Sequence, residues 1–75
     1  MDYRFTESQR LMVLDLDDEP TLLGCVEGVA RRLSKPSGRR PALTERCPPK
    51  SAEEPWQRWK LNAAGLAVQA ELGLL

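Results

Sequence analysis

Apolar residues recur in three stretches separated by prolines and clustered charge, and each stretch begins near a residue able to cap a helix. Thr6 followed three positions later by Gln9 is a capping-box signature, and Phe5 stands just outside it, placed to pack back on the first turn. The pattern predicts a helix from about Glu7 to Leu16, with Leu11, Met12, Val13 and Leu14 forming an apolar set wide enough to be clasped by two neighbours. Asp17-Asp18-Glu19-Pro20 ends it, because the residue before proline avoids helical geometry and three acids repel at a negative helix end. Thr21 then reads as the N-cap of a second helix in which Leu22, Leu23, Val26, Val29, Ala30 and Leu33 recur at three- and four-residue spacing. Gly24 and Gly28 sit on that helix as packing or neutral positions. Ser34-Lys35-Pro36-Ser37-Gly38 closes it in a loop, and Pro41 fits the first turn of a short helix through Ala42, Leu43 and Cys47, stopped by Pro48-Pro49.

The carboxyl third supports two readings. Ser51 with Glu54 forms another capping box, and Trp56, Trp59, Ala63, Leu66 and Ala70 fall on one face of a single long helix over 56–73. Alternatively, Arg58-Trp59-Lys60-Leu61 alternates as a short strand and Asn62 caps a separate last helix from Ala63 to Leu72, which is the reading we favour. The expected fold class is therefore mainly α: three or four helices, with a short two-stranded ribbon near Arg58–Leu61. The expected core is Leu11, Leu14, Leu22, Val26, Val29, Leu33, Trp59, Leu61 and Leu66.

At 75 residues this is one small domain, residues 1–75, with 34–50 a basic loop region containing Pro and Gly. A chain of that size buries only about 60% of its unfolded surface, so a homodimer or a bound partner would add stability. No apolar run approaches the roughly 18 to 20 residues of a membrane span, and the amino terminus lacks the pattern of a secretory signal. The expectation is a cytoplasmic protein with no membrane association.

Charge changes this picture more than composition does. Eleven Lys and Arg balance eleven Asp and Glu, yet residues 1–30 carry −5, residues 31–50 carry +6 and residues 51–75 carry −1. The basic middle points to an anionic partner, duplex DNA or an acidic protein surface, or else to neutralisation of the acidic front within one chain or across a dimer.

Candidate chemistry is sparse. The absence of His removes the commonest general base, the usual nucleophile pairs and the usual zinc ligand. Cys25 reads as a small buried hydrophobe, whereas Cys47, beside Arg46 and Lys50, would have a lowered thiol pKa if exposed. A disulfide between the two is disfavoured in a reducing cytosol. The cluster Asp15, Asp17, Asp18 and Glu19 could hold magnesium or calcium, but it lacks the glycine turn and distal Glu of an EF-hand, so we expect a solvated turn, no metal and no other cofactor. Trp56 and Trp59 with Arg58 and Lys60 could stack on bases or anchor an interface, but the stronger reading is that the two Trp supply the bulk of a thin core.

Leu11-Met12-Val13-Leu14-Asp15-Leu16-Asp17-Asp18 resembles the first motif of the haloacid dehalogenase phosphotransferases, an apolar strand ending in Asp-x-Asp. Glu19 stands where that family has Thr, and the chain is too short for its parallel sheet, so Asp15 and Asp17 are not expected to act as nucleophile and acid. We expect no enzyme. The stretch from Trp59-Lys60-Leu61-Asn62 through Ala63-Ala64-Gly65 to Leu72 resembles the end of winged helix-turn-helix transcription factors, where an aromatic-x-Leu-Thr wing strand precedes a capped helix beginning x-x-Gly. Asn62 replaces the Thr, and Thr6–Arg10 with its Leu-rich helix looks like the first helix of such domains. The resemblance covers the two ends of the chain, and it would place the recognition helix in the proline-broken basic segment 37–47. It implies a transcription regulator that contacts phosphates through Arg31, Arg32, Lys35, Arg39, Arg40 and Arg46, with Arg58 and Lys60 in a rudimentary wing. The other reading is a small protein–protein interaction module, an adaptor or inhibitor, in which the acidic turn and basic loop meet a protein partner.

Overall fold

The capping box forms as its spacing requires. Thr6 Oγ1 accepts from the Gln9 amide and Gln9 Oε1 accepts from the Thr6 amide, both at 3.1 Å, and helix α1 runs Glu7–Asp15. A computed structural model describes residues 3–74 of the chain. After α1 come a single 3-10 turn Gly24–Val26, helix α2 Glu27–Leu33, strands β1 Thr44–Cys47 and β2 Arg58–Leu61, and helix α3 Ala63–Gly73. The two strands pair antiparallel with Thr44 opposite Leu61 and Cys47 opposite Arg58. Three helices and a two-stranded sheet make this an α+β domain and not the mainly α one expected from the sequence.

Two sequence expectations fail for identifiable reasons, and the long-helix alternative gives way to the favoured strand and helix. Thr21 does not cap a helix. Its backbone exchanges two 2.9 Å hydrogen bonds with Trp59, and the Asp17 carbonyl accepts from the Leu61 amide at 2.8 Å, so residues 17–21 lie along the free edge of β2. Gly24 then takes a positive φ of 59°, which resets the chain, and α2 starts only at Glu27. The segment 42–47, read as helical, is mostly β1. Prolines 41 and 48 leave too few residues between them to pay the nucleation cost of a helix, whereas β2 lies ready to pair. Ser51 and Glu54 close a turn of the β1–β2 connection, through the Glu54 amide on the Ser51 carbonyl and hydroxyl, so the single long helix over 56–73 does not form.

The expected strand Arg58–Leu61 and the Asn62 cap are both present. Asn62 Oδ1 accepts from the Gly65 amide at 2.8 Å, and its Nδ2 donates to the Ala42 carbonyl at 2.7 Å, which fastens the start of α3 to the entry of β1. One cluster gathers Met12, Val13, Leu16, Ala30, Leu33, Leu43, Trp59, Leu61 and Val68 from every helix, β2 and the connecting segments. Of the expected core, Leu33, Trp59 and Leu61 are buried, and Leu14, Val29 and Leu66 are half-buried. Leu11, Leu22 and Val26 are instead 46%, 47% and 45% exposed. The reason is register: α1 turns Met12 and Val13 inward, with Leu16 just beyond it, which carries Leu11 to the rim, and Thr21 pairs with β2 instead of starting a helix, which leaves Leu22 and Val26 outside the core.

Candidate interaction surface

The eight cations proposed from the sequence do not converge. Arg31 pairs with Glu27 at 2.6 Å one turn earlier on α2, Arg58 with Glu54 at 3.1 Å, and Lys60 with Glu45, its cross-strand partner, at 3.2 Å. Such partly exposed pairs contribute only about 0.2–1 kcal/mol each, but they occupy the charge. Arg40 folds back over the end of α2 and donates to the carbonyls of Leu33, Lys35 and Pro41 at 3.1–3.5 Å, a cation placed where the helix leaves its acceptors unsatisfied. The preceding turn makes this reach possible. Ser37 and Arg40 exchange backbone hydrogen bonds around Gly38, whose φ of 59° with negative φ at Arg39 is the type II′ pattern. Arg46 lies over the Trp59 ring, 5.8 Å from its centroid, and the Gln57 amide is oriented with its oxygen toward that guanidinium and its nitrogen 3.2 Å from Glu27.

Arg32, Lys35 and Arg39 are exposed and form no ion pair among the described residues. They also face different neighbours: Arg32 borders the first turn of α1 near Thr6 and Gln9, while Arg39 borders α3 near Ala64 and Ala67. The basic middle, continuous in sequence, is thus spread over several borders of the fold.

The two tryptophans part company. Trp59 is 1% exposed and supplies the bulk of the core, with its indole Nε1 left without a hydrogen-bond partner, whereas Trp56 is 60% exposed. Cys25 and Cys47 are both free thiols: Cys25, expected to be buried, is exposed, and Cys47 is buried, so the condition for a lowered thiol pKa is not met. Burial pushes the Cys47 thiol above its ordinary value of 9.0, and Glu45 pushes it the same way against the opposing effect of Lys60. Because the folded-state pKa is raised, the thiol's contribution to stability is intact below pH 9.0 and is lost as pH rises through the folded value. At pH 8 Cys25 should therefore react with Ellman's reagent at least about tenfold faster than Cys47. Equal rates would place Cys47 at the surface.

Nor does the acidic cluster form a metal site. Asp17 Oδ1 accepts from the Glu19 amide at 2.8 Å in a local turn, and among the described residues no group of three or more His, Cys, Asp and Glu is arranged to hold a metal ion. Asp15 ends a helix and does not follow a strand, so the geometry of the phosphotransferase motif is absent.

One apolar concavity was not legible as a site in the sequence. A groove of about 370 Å³ runs between α1 and the segment 21–29, walled by Leu11, Met12 and Leu16 on one side and by Leu23, Val26 and Val29 on the other. Asp15 stands on its lining. On the other flank of the 3-10 turn a second hollow, about 400 Å³, is bordered by Leu22 and Trp56. The one signal in the sequence was the width of the apolar set Leu11–Leu14, which exceeds what a single packing partner can cover. Among the described residues no helix is long and apolar enough to cross a membrane. No family model, no curated protein and no solved structure matches the chain.

Proposed function

We propose that this chain is a protein–protein interaction module on a winged-helix-like frame, and that the groove between α1 and residues 21–29 is where it receives its partner. One observation carries the reading: Leu11 and Val26, aliphatic side chains that a domain this small would be expected to bury, stand nearly half exposed on the two walls of an open apolar groove. The β1–β2 hairpin followed by the Asn62-capped α3 is compatible with a wing and its closing helix. The stretch 34–42 between α2 and β1, which includes part of the segment where the resemblance would put a recognition helix, holds no helix. Five of the eight candidate cations, Arg31, Arg40, Arg46, Arg58 and Lys60, are engaged within the fold.

The DNA-binding reading keeps one observation in its favour, the exposed and unpaired Arg32, Lys35 and Arg39. If those three took phosphates, log affinity for duplex would fall against log salt with a slope of about −3. Two measurements separate the readings. Val26→Asp, at a half-exposed position, should shift the melting temperature by less than about 4 °C, yet should abolish binding of peptides selected against the full chain from a displayed random library. A mixed-sequence duplex should not shift at about 50 mM salt. Peptide binding that survives Val26→Asp, together with a duplex shift lost in Arg32→Ala/Lys35→Ala/Arg39→Ala, would replace the interaction reading with the DNA one.

A further inference from the structure

The groove has a chemical polarity along its length. Asp15 lies on its lining, and Asp17, Asp18 and Glu19 form the turn between two of its other lining residues, Leu16 and Thr21. None of these four carboxylates pairs with a Lys or Arg among the described residues. They also sit at the carboxyl end of α1, where the helix dipole is negative and the last turn contains no basic residue to offset it. That end of the groove is uncompensated negative charge beside an apolar floor.

The walls restrict the backbone of whatever enters. Along α1 the groove side is Ser8, Leu11, Met12 and Asp15, a single face of a helix whose main chain is hydrogen-bonded within itself. The edges of β2 are likewise taken, one by β1 and the other by residues 17–21. An extended peptide laid in the groove would find no main-chain partners along that wall and would bury unpaired amides, whereas a helix satisfies its own.

We infer that the groove takes a short amphipathic helix of a partner protein, with aliphatic anchors at i, i+3, i+4 and i+7 and with Lys or Arg flanking them at the end that meets Asp15 and the acidic turn. This inference rests on the protein-binding reading above and deepens it. Charge at the rim selects the partner and speeds its approach, and the apolar floor holds it.

The test uses the full chain and two fluorescent helical peptides with the same Leu stripe, one flanked by Lys and one by Glu. In anisotropy titrations at about 50 mM salt the Lys-flanked peptide should bind at least about tenfold tighter than the Glu-flanked one, and the ratio should shrink at about 300 mM as the carboxylates are screened. Asp15→Asn should narrow the ratio without changing the fold, and Leu11→Gln should weaken both peptides. Equal affinity for the two peptides would overturn the basic-helix inference and leave the protein-binding reading standing. So would no binding of either peptide where library-selected peptides still bind in a Val26-dependent way. Binding indifferent to both Leu11→Gln and Val26→Asp would defeat the two together. A dimer of the chain in sedimentation that dissociates in Val26→Asp would also overturn the inference, with a second copy as the occupant.

Discussion

Gly65→Ala is expected to destabilise the domain by about 2 kcal/mol or more, a large share of the roughly 5 kcal/mol that so small a fold commands. The intrinsic preference of Ala for a helix acts the other way, by about 1 kcal/mol at most. Sterics win because Gly65, in the first turn of α3, rests directly on the Leu43 carbonyl. A Cβ there would overlap that oxygen and would lie 3.0 Å from Leu61 Cδ2 and 3.1 Å from the Leu43 carbonyl carbon. The overlapped atom is backbone, pinned by the Asn62 amide at 3.0 Å, so it cannot turn aside as a flexible side chain would. Relief requires α3 to lift from the β1 entry, which stretches the Asn62 bonds to Ala42 and Leu43. Gly28→Ala, where an added Cβ meets nothing within 4 Å, is the control and should be neutral or slightly stabilising. Equal melting temperatures for Gly65→Ala and the parent chain would mean that α3 does not dock on Leu43.

Gln69→Glu is expected to cost about 2–4 kcal/mol at neutral pH and to recover part of it in acid. Gln69 reaches from α3 to the end of α1, where its Nε2 donates to the carbonyls of Val13, Leu14 and Leu16 at 2.9, 3.2 and 2.5 Å. These are carbonyls near the helix end, short of intrahelical donors, and the side chain supplies what the sequence after α1 does not. A carboxylate at that position would face three acceptors and the negative helix end, with Asp15 and Asp17 close in sequence. Its pKa in the folded chain would lie above the unfolded value of about 4.3, so the variant's stability deficit should grow as pH rises through the folded value and shrink below about pH 4. Urea midpoints of parent and variant across pH 3–8 check this. A deficit independent of pH would assign the loss to shape and not to charge.

Local signals were legible wherever a single residue and its near neighbours decide the outcome. Thr6 with Gln9, and Asn62 with Gly65, cap helices because a short polar side chain can reach an amide three residues on whatever the rest of the chain does. Where a distant segment competes, local preference loses. Thr21 could cap a helix, but the exposed edge of β2 offers its backbone two hydrogen bonds, and residues 42–47 have no way to announce that β2 begins eleven residues beyond Cys47. The basic middle misleads for a related reason. Spacing of four gives Glu27 for Arg31 and Glu54 for Arg58, but it does not reveal Glu45 for Lys60, the carbonyls for Arg40 or the Trp59 ring for Arg46, and all five cations meet a partner within the fold. The groove is the least legible feature, since it arises only when Gly24 turns residues 21–29 alongside α1.

The most direct measurement is a pair of amide nitrogen–proton spectra of the full chain at about 150 mM salt, one with excess Lys-flanked peptide and one with excess duplex DNA. Shifts at Leu11, Asp15, Leu23 and Val26 with the peptide, and none with the duplex, are the predicted result. Shifts at Arg32, Lys35 and Arg39 with the duplex, in a chain whose groove amides the peptide leaves unmoved, would contradict the account.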